Sequence, residues 1–156
     1  TDVKIKTITT ILGGMTLEYT QQFKKGDIFY LNLGEPDGCI QGGRRPAVIV
    51  QNDTGNRHSL TSQIAPITKS KTKAKLPTHV ELHKGMGGLR EDSVVLAEQT
   101  TICNKNELLP QNKLEHLNDS VLDKLDNAIA IQFDLYDRRT TQRHISKRRN
   151  AICLAQ

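Results

Sequence analysis

Arg45 has the residue type and the setting for binding a phosphate. It follows Gly42 and Gly43 and directly precedes Pro46, so a flexible Gly-Gly hinge and a fixed backbone place a cation at a strand end. A guanidinium is a planar fork of N–H donors that matches phosphate oxygens. The alternative is a solvated hairpin tip, for which Gly-rich turns are typical. Thr68, at the end of an apolar run, adds a hydroxyl that by itself is an ordinary strand residue.

The other reactive residue types form no recognisable site. The histidines show no His-x-x-x-His spacing, and only His79 stands out, because it lies in a strand beside a basic segment; a plain surface histidine is the alternative. Asp119, Asp123 and Asp126 share a helix face, which is typical of solvation. Cys39, Cys103 and Cys153 are odd in number and far apart. We therefore expect no metal, no cofactor and no disulfide.

Charge is divided unevenly along the chain. The net charge is +5, but residues 138–156 hold six Lys/Arg and no acid. Residues 41–90 carry a net +7 and residues 91–137 a net −7. A basic face fits an anionic partner, although the two segments can instead neutralise each other in the fold. No apolar stretch approaches the roughly 20 residues of a membrane span and no secretory segment is evident, so we expect a cytoplasmic protein.

Short apolar segments separated by turns predict a mainly β domain. We predict strands at 27–33, 46–52, 61–68, 78–82 and 93–99, the last extending to Cys103 in one alternative. Residues 53–56 and 85–88 are predicted turns, and 69–75 is a basic loop. Five short strands joined by turns favour a twisted antiparallel sheet or small barrel.

A helix and two flanking segments complete the predicted organisation. Asn118, Asp119 and Ser120 offer N-cap residues for a helix with a buried stripe at 121, 122, 125, 128, 129 and 135. Ile131 and Phe133 lie off that stripe and suggest a dimer contact. We assign residues 24–137 to the domain and 138–156 to a flexible basic tail. Residues 1–23 are an extension that we exclude from the fold. Two origins stay open: part of it is a cloning remnant and Met15 is the natural start, or the whole extension is genuine.

Several long segments in a fixed order resemble the bacterial MazF/PemK toxin family. They are GDIFY at 26–30, QGGRRPAVIVQND at 41–53, GNR at 55–57, KAKLPTHVE at 73–81 and GLREDSVVLAEQ at 88–99. The resemblance covers about residues 24–136, which makes it far more specific than one short motif. It implies an SH3-like barrel with a C-terminal helix, as in MazF, PemK and CcdB, so the fold class is α+β but mainly β.

The resemblance also implies a function. Members are toxins of type II toxin-antitoxin systems: homodimeric, metal-independent endoribonucleases (mRNA interferases) that cut single-stranded mRNA at short sequences and are bound by an acidic antitoxin. The family's catalytic positions fall on Arg45 and Thr68. Its RNA-binding positions fall on Cys39, Gln41, Gly42, Gly43, Asn52, Leu76, Pro77, Thr78, His79 and Gln99.

RNA supplies its own nucleophile, because the 2′-OH attacks the adjacent phosphorus and leaves a 2′,3′-cyclic phosphate and a 5′-OH. We assign Arg45 to charge stabilisation, with proton donation as a further role, and leave the general base open.

The chain departs from the family pattern at Cys39 and Ile40, where a hydroxyl and an acid are usual, and at Thr101 and Ile102. Two alternatives therefore stay open. One is a protein-binding toxin of the same fold, similar to the gyrase poisons, although this chain has no Trp. The other is an RNA-binding protein with weak or no catalysis.

Overall fold

The structure, a computed structural model, describes residues 8–12, 15–19, 23–69 and 76–135. These residues form nine strands and two α-helices, with short 3₁₀ turns between them. In chain order the elements are β1 (Ile8–Leu12), β2 (Met15–Tyr19), β3 (Asp27–Asn32), β4 (Arg44–Ile49), α1 (Asp53–His58), β5 (Thr61–Lys69), β6 (His79–Leu82), β7 (Ser93–Leu96), β8 (Thr101–Asn104), β9 (Lys113–His116) and α2 (Asp119–Gln132).

Seven of the strands form one curved antiparallel sheet, a half-barrel. Its order is β6-β7-β5-β4-β3-β9, and β8 also pairs with β5. Every ladder in the described part of the chain is antiparallel. The sheet buries apolar residues on both faces: one cluster includes Ile28, Val48 and Ile67, and the other includes Phe29 and Ile49. The mainly β fold with a C-terminal helix, expected from the sequence, is confirmed.

Helix α2 covers the first of these two clusters. The Asn118 side chain accepts a hydrogen bond from the Val121 N–H at 3.0 Å and caps the helix, as predicted. Val121, Leu125 and Ala128 are buried against the sheet. Leu135 is wrongly included in the predicted stripe, because the helix ends at Gln132 and Leu135 is 67% exposed.

Helix α1 and strand β9 differ from the sequence prediction. Residues 53–58 form a helix rather than a turn, because the Asn52 side chain caps it by accepting from the Gly55 N–H at 2.8 Å. Strand β9 was not predicted, since its sequence KLEH has no apolar alternation. It pairs with β3 and is also held by the buried Asp27 carboxylate of that strand, which accepts from Lys113 Nζ at 2.7 Å and His116 Nδ1 at 3.0 Å.

The strand predicted at 93–99 is interrupted, which matters for the site. Residues 97–99 form a 3₁₀ turn, here called the 97–99 turn, between β7 and β8. Both strands pair with the same edge of β5, in the registers Ile67↔Val95 and Ile64↔Thr101. Between these two pairs, β5 spans three residue steps and the segment from Val95 to Thr101 spans six. The 97–99 turn therefore bulges out of the ladder.

The segment before residue 24, which is left outside the predicted domain, contains secondary structure. Strands β1 and β2 pair with each other as an antiparallel hairpin. The half-buried Phe23 ring packs edge-on against Phe29 of the core, with ring centroids 6.4 Å apart. Most of the basic loop at 69–75 and the tail at 138–156 lie outside the described residues. Among the described residues, no helix is long and apolar enough to cross a membrane.

Candidate active site

Arg45 and Thr68 lie on one face of neighbouring strands. The last paired residues between β4 and β5 are Ala47 and Pro66. Arg45 is two residues beyond Ala47 and Thr68 is two residues beyond Pro66, so side-chain alternation puts both on the face shared by that pair. The Thr68 side chain is half-buried and its hydroxyl has no hydrogen-bond partner within the described part of the chain. A phosphate near this strand end can therefore meet a guanidinium and a hydroxyl.

The guanidinium of Arg45 is bound to the loop that precedes it. Its Nε donates to the Gly42 carbonyl at 2.7 Å, and its Nη1 donates to Gln41 Oε1. A Cβ on Gly42 would lie 2.5 Å from Pro36 Cα and 2.6 Å from the Glu35 carbonyl carbon. Glycine is thus required at 42 for close backbone packing, rather than for the free hinge predicted from the sequence.

Gln99 binds the same loop from the other side. Its Oε1 accepts from the Gln41 N–H at 2.8 Å, and its Nε2 donates to the Cys39 carbonyl at 2.9 Å. Residues 39–43, here called the 39–43 loop, are therefore bonded both to Arg45 on β4 and to the 97–99 turn. The structure brings together Cys39, Gln41, Gly42, Gly43 and Gln99, all of which the resemblance assigned to RNA binding.

His79 joins this group through a residue that the sequence did not indicate. His79 Nε2 donates to Glu98 Oε1 at 2.9 Å, and the second carboxylate oxygen of Glu98 is buried without a partner among the described residues. The Ala97 N–H donates to the Thr78 carbonyl at 3.1 Å, which fixes the start of β6 against the 97–99 turn. No local pattern marks Glu98, because its partner is 19 residues away.

The remaining predicted positions divide between two places. Leu76 and Pro77 are exposed and lead into β6 beside His79. Asn52 lies past the other end of β4 from Arg45, where its side chain caps α1. Within this one chain Asn52 is therefore separate from the other predicted site residues.

The two described cysteines have opposite environments. Cys39 is exposed on the 39–43 loop, and Cys103 is buried on β8. Burial raises the pKa of the Cys103 thiol from 9.0 to about 11, and the Glu107 carboxylate adds to the rise. Among the described residues, no group of three or more His, Cys, Asp or Glu side chains is placed to hold a metal ion.

Comparison with known proteins identifies the family. The family model described as "PemK-like, MazF-like toxin of type II toxin-antitoxin system" matches residues 24–133. The chain is 44% identical over 114 residues to endoribonuclease EndoA of Bacillus subtilis, covering 73% of this chain and 97% of that protein. It is 44% identical over 117 residues to endoribonuclease MazF of Staphylococcus saprophyticus, covering 75% and 96%.

A solved structure supports the same fold. It is described as an endoribonuclease in complex with its cognate antitoxin from Mycobacterial species. It superimposes with a TM-score of 0.61 at 23% identity, covering 74% of this chain and 98% of that one. The chain therefore belongs to the PemK-like, MazF-like toxins of type II toxin-antitoxin systems and is an endoribonuclease.

Proposed function

We propose that this toxin cuts single-stranded mRNA at specific short sequences, without a metal ion, by using Arg45 and Thr68. The observation that carries the proposal is the placement of Arg45 and Thr68 on one face at the end of the β4–β5 ladder. Attack by the RNA 2′-OH on phosphorus needs in-line alignment and stabilisation of added negative charge. Arg45 and Thr68 supply N–H and O–H donors for the added charge, and those of Arg45 are oriented before the substrate arrives.

Arg45 stabilises the charge that builds on the non-bridging phosphate oxygens. A guanidinium has five N–H donors, two of which are given to Gln41 and Gly42, so three remain for the substrate. Thr68 donates its hydroxyl to the same phosphate. The bond from phosphorus to the 5′ oxygen breaks, and the products are a 2′,3′-cyclic phosphate and a 5′-OH.

RNA bases are read beside this centre. The 39–43 loop is bonded to Arg45 and to the 97–99 turn, which is bonded to His79 of the Leu76–His79 segment. Single-stranded RNA is recognised through splayed bases on such surfaces. Amide and backbone groups carry this recognition, because the chain has no Trp and few other aromatic residues. The 44% identity to two endoribonucleases favours this function over a gyrase-poison-like toxin or an inactive RNA binder.

The experiment is cleavage of a long single-stranded RNA in excess EDTA, followed by mapping of the cut sites and ends. We expect discrete cuts, cyclic phosphate ends and no cleavage when the nucleotide 5′ of the cut is 2′-deoxy. Arg45→Ala should slow cleavage ~10²–10³-fold, the usual cost of one lost oxyanion donor, and Arg45→Lys should fail nearly as badly because a point charge lacks the fork. Equal cutting of the DNA version, or a folded Arg45→Ala protein at the wild-type rate, contradicts the mechanism.

We also propose two protein partners, both in the cytoplasm where the substrate lies. One is a cognate acidic antitoxin, supported by the net +7 of residues 41–90 and by the antitoxin bound to the Mycobacterial relative. The other is a second copy of the chain, supported by Phe133, which is 54% exposed after α2. An antitoxin that binds without blocking RNA cleavage would contradict the first proposal. For the second, sedimentation should show a dimer that the Phe133→Asp substitution weakens.

The basic tail at 138–156 is proposed to add phosphate contacts that read no bases. Each contact to single-stranded RNA contributes about −0.7 to the slope of log affinity against log salt. Deleting the tail should flatten that slope and leave the cut sites unchanged. A lower melting temperature with an unchanged slope would show that the tail packs on the acidic 91–137 segment instead.

A further inference from the structure

The Gln99 carboxamide is bonded at both ends to the main chain of the 39–43 loop. Its oxygen accepts from the Gln41 N–H at 2.8 Å and its nitrogen donates to the Cys39 carbonyl at 2.9 Å. Gln99 lies 58 and 60 residues from these partners, so the contact joins distant parts of the chain. We infer that Gln99 is a positioning residue, which fixes the Arg45 guanidinium by holding the loop to which Arg45 is bonded.

Gln41 is the link between the two side chains. Its main-chain N–H is held by Gln99, and its side-chain oxygen accepts from Arg45 Nη1. The neighbouring Gly42 carbonyl accepts from Arg45 Nε at 2.7 Å. Because two bonds from different atoms of a planar group fix its orientation, the position of this loop sets the direction of the remaining guanidinium donors.

The 97–99 turn, which carries Gln99, is held in place by several hydrogen bonds. Glu98 is bonded to His79, the Ala97 N–H is bonded to the Thr78 carbonyl at 3.1 Å, and the Thr100 hydroxyl closes the turn by donating to the Ala97 carbonyl at 2.8 Å. By contrast, residues 34–40, which lead into the 39–43 loop, are exposed. Gln99 therefore connects an exposed loop to a turn that is anchored on the sheet.

This role differs from direct RNA contact, the role that family resemblance gives to Gln99. Its two bonds to the loop leave the Gln99 amide one N–H and one oxygen lone pair, so an RNA contact would not require those bonds to break and must be distinguished by kinetics. The two roles predict different kinetics. Loss of an RNA contact raises KM or alters the cut site, whereas misdirection of Arg45 lowers kcat.

The inference rests on the proposed function, because it takes Arg45 as catalytic. It is tested with an RNA oligonucleotide carrying the mapped cut site, measured for wild type, Gln99→Ala, Gln99→Glu, Arg45→Ala and the Gln99→Ala/Arg45→Ala double variant. Gln99→Ala should lower kcat roughly tenfold or more, as small misplacements of reacting groups do, with KM within about threefold and the cut site unchanged. Gln99→Glu keeps the acceptor for the Gln41 N–H but loses the donor to the Cys39 carbonyl. Its kcat should therefore lie between those of wild type and Gln99→Ala.

Non-additivity is the decisive readout. If Gln99 acts through Arg45, the double variant is no slower than Arg45→Ala alone, whereas independent roles multiply. Gln51→Ala is the matched control, since Gln51 Nε2 also donates to a main-chain carbonyl, that of Thr61 at 3.2 Å, at the other end of β4; its kcat should stay at the wild-type value.

A rise in KM alone, a changed cut site or a multiplied loss in the double variant overturns the inference and supports direct RNA contact. Wild-type activity of Arg45→Ala refutes the proposed function instead, so the two failures are distinct. If Gln99→Ala melts below the assay temperature, the kcat of Gln99→Glu is used to test the inference. Its kcat must then fall below that of wild type, and a wild-type kcat would overturn the inference.

Discussion

Arg45 and Thr68 stand on adjacent antiparallel strands, each two residues past the last bonded pair of the ladder. The ladder between β4 and β5 stops at Ala47↔Pro66, while β5 from Ile67 to Lys69 pairs with β7 on its other edge. The two side chains thus project where β4 and β5 separate. A gap between separating strands is a place where a phosphate can approach both donors without displacing ladder hydrogen bonds.

Replacing Thr68 tests the hydroxyl separately from its shape. Thr68→Val removes the O–H and keeps the branched side chain, so we expect a loss of ~10–100-fold in kcat, the equivalent of a hydrogen bond to a charged group. Thr68→Ser keeps the hydroxyl and should retain most activity. Single-turnover cleavage of the same RNA by both variants gives the comparison, and equal rates for Val and Ser would remove Thr68 from the mechanism.

Gly42→Ala should displace the 39–43 loop. The added methyl would collide with backbone atoms of Glu35 and Pro36, which have no flexible end to move aside. Because the Gly42 carbonyl also accepts from Arg45, we expect kcat to fall at least about tenfold while the protein stays folded. Gly38→Ala serves as the control, since a methyl there meets open space and adds only the strain of a positive φ of 54°. Equal kcat losses in the two variants would argue against a specific role for the Gly42 contact.

Cys39→Ser should preserve activity and the cut site. Gln99 binds the main-chain carbonyl of Cys39, which any residue provides, so the thiol is not needed for that bond. In a Cys153→Ser background, iodoacetamide at neutral pH should modify Cys39 and leave Cys103 intact, as mass spectrometry would show. Abolished cleavage in Cys39→Ser would instead make the thiol a participant in the reaction.

The raised pKa of Cys103 predicts a loss of stability at high pH. The unfolded thiol ionises near pH 9.0 and the folded thiol only near 11, so above pH 9 the folded state binds more protons and the free energy of unfolding decreases. A shift of this size corresponds to roughly 2–3 kcal/mol once pH exceeds both values. Urea unfolding of wild type and Cys103→Ala at pH 7 to 10.5 should show this decrease in wild type relative to the variant. Parallel curves for the two proteins would refute it.

The strands and the helix that follow from neighbouring residues in the sequence were predicted correctly. Strands β3 to β7 followed from apolar runs, and α2 followed from Asn118 and the stripe at 121, 125 and 128. Strand β9 could not be found in this way, because Asp27 holds it from 86 and 89 residues away. Arg45 was evident from its neighbours in the sequence. The contacts that direct it were not, since Gln99 meets the 39–43 loop only after the sheet has formed.

The bulge at the 97–99 turn limits how the length of this segment can change. Side chains alternate between the two sides of a strand, so a slip of one residue would turn Cys103 toward solvent and the exposed Ile102 inward. A one-residue deletion must therefore either invert β8 or shorten the turn that carries Glu98 and Gln99. Among relatives or designed variants, we expect length changes here to come in pairs of residues, or together with altered partners for His79 and the 39–43 loop.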